Sequence, residues 1–209
     1  MESSNMTRRE FACMVVAGTT VLGSAVTVKA ADQLAPLRIT IIGDSVCIPE
    51  GHRDVACFMI NGRHLVDTGW YAALKMREYG FDPLALESII ITHFHHDHYL
   101  GLPGLLFYAG LRKRAGNPLT IAGPSEHLER VVKATDEFLQ VYRFPEVLAN
   151  RKLLPLAAGD KFEFSDLRFE TFAARHLSGK DQLEQALAYK VTDKASGACA
   201  VYSGDTHPH

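Results

Sequence analysis

Ser88-Ile89-Ile90-Ile91-Thr92-His93-Phe94-His95-His96-Asp97-His98 is the stretch whose reading decides the fold. An aliphatic run ends abruptly in four imidazoles and one carboxylate. Imidazole nitrogen and carboxylate oxygen are the ligands that zinc and similar divalent ions favour. The run over 89–91 predicts a buried strand that delivers a loop of ligands to the C-terminal edge of a sheet. An incidental cluster of surface histidines is the alternative, and the H-x-H-x-D-H spacing directly behind a strand argues against it.

The flanking segments alternate between strand and helix patterns. Strands are expected over 37–43 and 55–60, and Asn61-Gly62 is a hairpin turn signal that returns the chain through His64-Leu65-Val66 into Asp67-Thr68-Gly69. A helical period runs from Trp70 to Tyr79 and stops at Gly80. Beyond the histidine cluster the pattern predicts a helix over 99–114, interrupted by glycine and proline, and a strand over 120–122. A further helix is expected over 125–142 with Ser125 as its cap. A hairpin over 162–172 follows, and then strands over 187–191 and 198–202. Strands and helices interleaved with hairpins imply a layered α/β domain.

Composition bounds the function. The chain has 209 residues, 47% of them hydrophobic, and a formal net charge of −2. That describes a globular protein with one core and no basic excess to attract nucleic acid. No Gly-x-Ser-x-Gly elbow is present, which disfavours a serine hydrolase. Residues 1–30 are expected to be a cleaved leader. Thr7-Arg8-Arg9-Glu10-Phe11 resembles the twin-arginine export motif, a moderately apolar stretch follows it, and Val28-Lys29-Ala30 offers small residues for cleavage. The competing reading is an anchor helix of just spanning length, against which Gly18, Gly23, Thr19, Thr20 and Ser24 weigh. A periplasmic or secreted protein with no stable membrane span after cleavage is therefore expected. The domain would then occupy residues 31–209. Cys47, Cys57 and Cys199 remain after the leader, too few for a disulfide framework, and are expected as buried free thiols.

His93, His95, Asp97 and His98, followed by Gly101-Leu102-Pro103-Gly104, resemble the signature of the metallo-β-lactamase superfamily. The Gly-Leu-Pro resembles its ribonuclease Z and phosphodiesterase branch. The resemblance implies an α/β fold of the αββα sandwich type. It also implies a first ion on His93, His95 and His176, a second on Asp97 and His98, and Asp205, within Ser-Gly-Asp-Thr, as the bridge. Asp97 would in addition hold or shuttle a proton. Zinc is the implied metal, two ions in the family, with manganese or iron(II) as alternatives. Asp67 is expected to hydrogen-bond a ligand imidazole. His96 is expected to point away, and His52, His64 and His127 to be solvent-facing.

In the family a strand–helix section with a last histidine ligand follows the bridging aspartate. Here only four residues follow Asp205, so the sandwich is expected to lack its C-terminal part. His207 and His209 are conceivable substitute ligands, but a sandwich cut short is the favoured reading, and one tight zinc with a weak second site is expected. The implied activity is hydrolysis of a phosphodiester or related ester. Alternatives are a lactone, β-lactam or aryl sulfate hydrolase, or a metal-binding remnant with little turnover. The expected partner is a small-molecule ester, with nucleic acid disfavoured and a homodimer admitted.

Overall fold

The computed structural model describes residues 37–178 and 182–207; the expected leader and His209 lie outside them. The described residues form two β-sheets with helices packed on one of them. The first sheet contains β1 (Ile39–Ser45), β2 (Asp54–Val55), β3 (Cys57–Ile60), β4 (His64–Val66), β5 (Ser88–Ile90), β6 (Leu119–Pro124) and β7 (Arg151–Leu156). Their spatial order is β2-β1-β3-β4-β5-β6-β7. The second sheet contains β8 (Lys161–Glu163), β9 (Leu167–Ser178), β10 (Gln182–Asp193) and β11 (Cys199–Tyr202), in the order β11-β10-β9-β8.

Period-two alternation builds the two cores. One face of the first sheet sends Met59, Leu65, Ile89 and Ile121 into a cluster with Met76, Leu102, Leu105 and Val132. These come from α1 (Ala72–Glu78), α3 (Leu102–Leu111) and α4 (Leu128–Phe138). The opposite face sends Phe58, Ile60, Val66, Ile90 and Ala122 against Phe169, Leu187, Tyr189 and Val191 of the second sheet. Three layers of the expected sandwich, α–β–β, are thus built by the described residues. Central strands buried on both faces read as unbroken aliphatic runs, as β5 does.

The turn chemistry fits its signals. Asn61 and Gly62 both have positive φ, 50° and 72°, as the central residues of a type I′ turn require, and Arg63 completes a three-residue loop between Ile60 and His64. This sharp return sets β4 in antiparallel register with β3, Phe58 opposite Val66. Because β1 and β4 both run against β3, and β4 to β7 are mutually parallel, the C-terminal ends of β1, β4, β5, β6 and β7 share one edge. Ligands gather at such an edge in open parallel sheets.

Several boundaries differ from the sequence expectations. The helix expected over 99–114 is the shorter α3, with Pro103 in its first turn, and a single-turn α2 (His96–Tyr99) precedes it. The helix expected over 125–142 spans only Leu128–Phe138. Ser125 does not cap it; His127 takes that position without a side-chain bond. Ser125 instead pairs across the sheets with Gln185, whose Oε1 accepts the Glu126 N–H at 2.9 Å. Strand β7 was not anticipated, and β9 and β10 form a much longer hairpin than their apolar runs suggested. The three described thiols are free, but only Cys57 is buried; Cys47 and Cys199 are exposed, which corrects the expectation of buried thiols.

Candidate metal centre

Strand β5 is wholly buried, and its ladder partners β4 and β6 saturate its backbone. The ladder loses its last grip at Ile91, whose N–H donates to Ala122 at 2.8 Å. The next residues are free to fold inward, and α2 winds directly behind His95. His176 arrives from the end of β9, and Asp205 from the turn after β11.

All six expected ligands meet there. The ligand atoms of His93, His95 and His176 lie within 4.8 Å of one another, and so do those of His93, His98 and Asp205. His93 belongs to both groups. Asp97 Oδ2 stands 3.5 Å from His98 Nε2, and Asp205 Oδ2 stands 3.6 Å from the same nitrogen. His95 Nδ1 and His176 Nε2 face each other at 2.8 Å. Two nitrogens on one tetrahedral zinc would be about 3.3 Å apart, so a small outward shift of either ring would admit an ion between them.

A divalent ion suits this donor set. His93 is fully buried, and its Nε2 is a buried polar atom without a hydrogen-bond partner among the described residues. Such an orphan is costly unless something occupies it. Burial, reinforced by the neighbouring His98, His176 and His95, pushes the His93 pKa down to about 2. The ring is therefore a neutral lone-pair donor across the physiological range, the form that binds metal. Asp205 is held down at about 2 by its hydrogen bond with His98, against the opposing effect of burial. For His98 burial works against the charged form, but Asp67 outweighs it with help from Asp205 and Asp97, and the pKa rises to about 10. A cation at Nε2 would replace that proton.

The ligand loop is held from behind by Asp67. This aspartate is fully buried, and its φ of 52° turns the chain sharply after β4. Its carboxylate accepts from His98 Nδ1 at 2.8 Å, Thr92 N–H at 2.8 Å and the Thr92 hydroxyl at 2.9 Å. The Tyr202 hydroxyl reaches it from the second sheet at 3.4 Å. With Nδ1–H committed to Asp67, His98 presents Nε2 to Asp97 and Asp205. Sequence reasoning anticipated Asp67. It missed Thr92 and Tyr202, for which the only signal was adjacency to the two ligand segments.

The other histidines fall outside the centre. His96 is exposed, its ring 5.8 Å from Tyr99. His52 is exposed as expected, its carbonyl accepting from Lys75 Nζ. His207 stacks over His176 with ring centroids 6.2 Å apart and belongs to neither ligand group. His127 is half-buried near Phe94 rather than solvent-facing.

His64, expected at the surface, is fully buried and bonds Ser88 Oγ at 2.9 Å and Asp166 Oδ1 at 3.0 Å. It forms a third titratable group with Glu87 and Asp166. Arg63 bridges both carboxylates, at 2.8 and 3.2 Å, so that group is neutralised by protein and serves as a structural tie. Burial lowers the His64 pKa below 6.5 despite the opposing hydrogen bond to Asp166. A histidine with a depressed folded-state pKa binds fewer protons folded than unfolded. Its contribution is therefore intact above about pH 6.5 and lost as pH falls from there towards the folded value. Urea midpoints of His64→Gln are accordingly expected to fall less between pH 7.5 and 5 than those of the wild type; equal slopes would remove His64 from the acid response.

Comparison with known proteins agrees with this geometry. The family model described as the Beta-lactamase superfamily domain matches residues 63–209. The chain belongs to that superfamily. It is 33% identical over 169 residues to a ribonuclease Z of Agathobacter rectalis, covering 79% of this chain and 52% of that protein. It is 37% identical over 97 residues to a ribonuclease BN of Citrobacter koseri, covering 42% of this chain and 31% of that one. The chain thus spans about half, or less, of the length of these curated relatives. Human tRNase Z, short form, shares the fold with a TM-score of 0.66 at 20% identity, over 80% of this chain and 68% of that one. The metallo-beta-lactamase fold protein YhfI from Bacillus subtilis does so with a TM-score of 0.61 at 19% identity, over 80% and 62%.

Proposed function

We propose that this chain carries the metal centre of a zinc-dependent hydrolase acting on phosphodiesters. The observation that carries the reading is the sharing of buried His93 by two adjoining ligand groups, one of imidazoles and one bearing Asp205. Names of relatives support the bond class, since ribonuclease Z and ribonuclease BN are by name nucleases. Aspartate at position 205, where thiol-bearing lactamases carry cysteine, weighs against a β-lactam.

His93, His95 and His176 would hold the first ion, Asp97 and His98 the second, with Asp205 between them. Zinc is the metal of choice for nitrogen-rich ligands, and manganese or iron(II) are the alternatives. Bound there, the ions lower the pKa of a water and polarise a phosphoryl oxygen. The chain's own residues supply the rest. Asp97, part-exposed beside His98, is placed to take up and return a proton. Asp67 keeps His98 oriented, and the buried floor formed by Thr92 and His93 excludes solvent from behind. The first ion would have three imidazoles and the second only that of His98, so one tightly held zinc and a weaker second ion are expected.

A small diester is the favoured substrate, because a net charge of −2 provides no general attraction for RNA. The twin-arginine-like leader would carry the protein to the periplasm or outside the cell, away from RNA precursors. RNA is the second reading, favoured by the similarity to ribonuclease Z.

The test is turnover of bis(p-nitrophenyl) phosphate by the zinc-loaded chain, with and without chelator, beside a precursor tRNA, a lactone, a β-lactam and an aryl sulfate. Chelator-sensitive release from the diester, restored by zinc, is expected. Faster cleavage of the precursor would establish the RNA reading. Turnover of the lactone, β-lactam or aryl sulfate alone would overturn the phosphodiester assignment. Retained zinc with no turnover would leave only the metal-binding role.

A further inference from the structure

Thr92 is no candidate ligand, yet it touches Asp67, the loop of His93 and His98, and the turn before Asp205. Its Oγ1 lies 3.1 Å from Asp67 Oδ1, 2.9 Å from Asp67 Oδ2 and 3.1 Å from His93 Nδ1. A longer contact of 3.4 Å reaches His98 Nδ1, whose nearer partner is Asp67. The Thr92 N–H donates to Asp67 Oδ1 at 2.8 Å, and its carbonyl accepts the Leu187 N–H of β10 at 2.9 Å. Its Cβ and methyl back onto Gly204, where an added Cβ would come within 3.1 and 3.2 Å of them. Gly204 immediately precedes Asp205.

Proton counting fixes the direction of these bonds. A threonine hydroxyl has one hydrogen, and a carboxylate can only accept. The short contacts with Asp67 therefore consume the Thr92 hydrogen. The hydroxyl oxygen then meets His93 Nδ1 as an acceptor, so Nδ1 must carry the ring proton. The lone pair is left on Nε2, the buried atom for which the described residues provide no hydrogen-bond partner.

We propose that Thr92 is a positioning residue that locks His93 in its Nδ1–H tautomer through a relay from Asp67, aiming the Nε2 lone pair at the metal position. One buried carboxylate then orients two ligands, His98 directly and His93 through the hydroxyl. The inference rests on the reading of His93 as a metal ligand. Outer partners of this kind are typically worth about 10–100-fold in metal affinity.

The experiment compares the full chain with Thr92→Val, which keeps the shape and loses the hydroxyl, and Thr92→Ser, which keeps the hydroxyl. Zinc affinity is read by competition with a chromophoric chelator, and the His93 tautomer by long-range ¹H–¹⁵N NMR of the metal-free protein. The expected result is an Nδ1–H ring in the wild type and in Thr92→Ser, and a mixed tautomer in Thr92→Val with zinc bound about 10–100-fold more weakly. A general structural effect would weaken both variants alike and leave the tautomer unmoved. An Nε2–H ring in the wild type overturns the inference without any variant, so misfolding of Thr92→Val cannot shield it. Unchanged affinity in a folded Thr92→Val overturns it as well. A wild-type protein that binds no zinc but shows the Nδ1–H ring sinks the metal reading instead, and the two failures are distinguishable.

Discussion

His93→Ala is expected to leave the protein unable to retain its metal through dialysis against a mild chelator. His93 is the one residue common to both ligand groups, so its loss strips an imidazole from the first and opens the second. A structural zinc site is worth about 10–16 kcal/mol in apparent binding free energy. One ligand of three or four then accounts for roughly 3–4 kcal/mol, or about 10²–10³-fold in affinity. Diester turnover should fall at least as far, because metal and general acid–base groups act as a unit. His96→Ala is the control: its ring is exposed and lies in neither group. Elemental analysis of the three proteins decides the matter. Equal zinc in His93→Ala and the wild type would refute the site.

Asp67→Ala should give the largest loss of stability at a residue that is no ligand. The carboxylate is fully buried and accepts from Thr92 N–H, the Thr92 hydroxyl, His98 Nδ1 and the Tyr202 hydroxyl. Deleting it abandons those donors inside the protein and leaves His98 without the partner that favours its charged form. Breaking a buried pair in this way costs about 3–5 kcal/mol. Asp67→Asn should lose less, since asparagine tolerates the left-handed backbone at this position and keeps one acceptor oxygen. Urea unfolding of both variants, metal-free and zinc-loaded, tests this. The zinc-loaded difference should be the larger, because misaligned His98 also weakens binding and with it the stabilisation that bound ligand confers. A metal-free loss below about 1 kcal/mol would mean that the loop is anchored elsewhere.

Where local chemistry decides the structure, the sequence was informative. Asn61-Gly62 announced its hairpin because only positive φ at both positions closes it, and Ser88–Ile91 announced a central strand because burial on both faces requires an aliphatic run. The six candidate ligands could be brought to one place from sequence because the residue types at the strand ends are few and chemically specific. Long-range context hid the rest. His64 sits beside the polar Arg63 and has no apolar signature; its burial is fixed by Asp166 and Phe164, about a hundred residues away. Strand β7, Arg-Lys-Leu-Leu-Pro-Leu, lies at the edge of its sheet, where Arg151, Lys152 and Pro155 break any alternation. The end of α4 was overextended because Phe138 and Tyr142 look like core residues, yet both are exposed. Thr92 gave no sign of its role, because a hydroxyl's function depends on what three other segments bring to it.

The candidate ligands are divided unequally between the sheets. Four of them, His93, His95, Asp97 and His98, lie on one loop of the first sheet, whereas His176 and Asp205 ride on the second. If these residues hold an ion as proposed, the loop would capture it before the second sheet has docked, and the grip would be complete only when β9 and β11 arrive. Part of the binding energy would then be realised only in the closed form, and would slow reopening more than it speeds closing. The lifetime of the folded chain against proteases would thereby follow the free metal concentration of its surroundings, as a clasp holds only while its pin is in place.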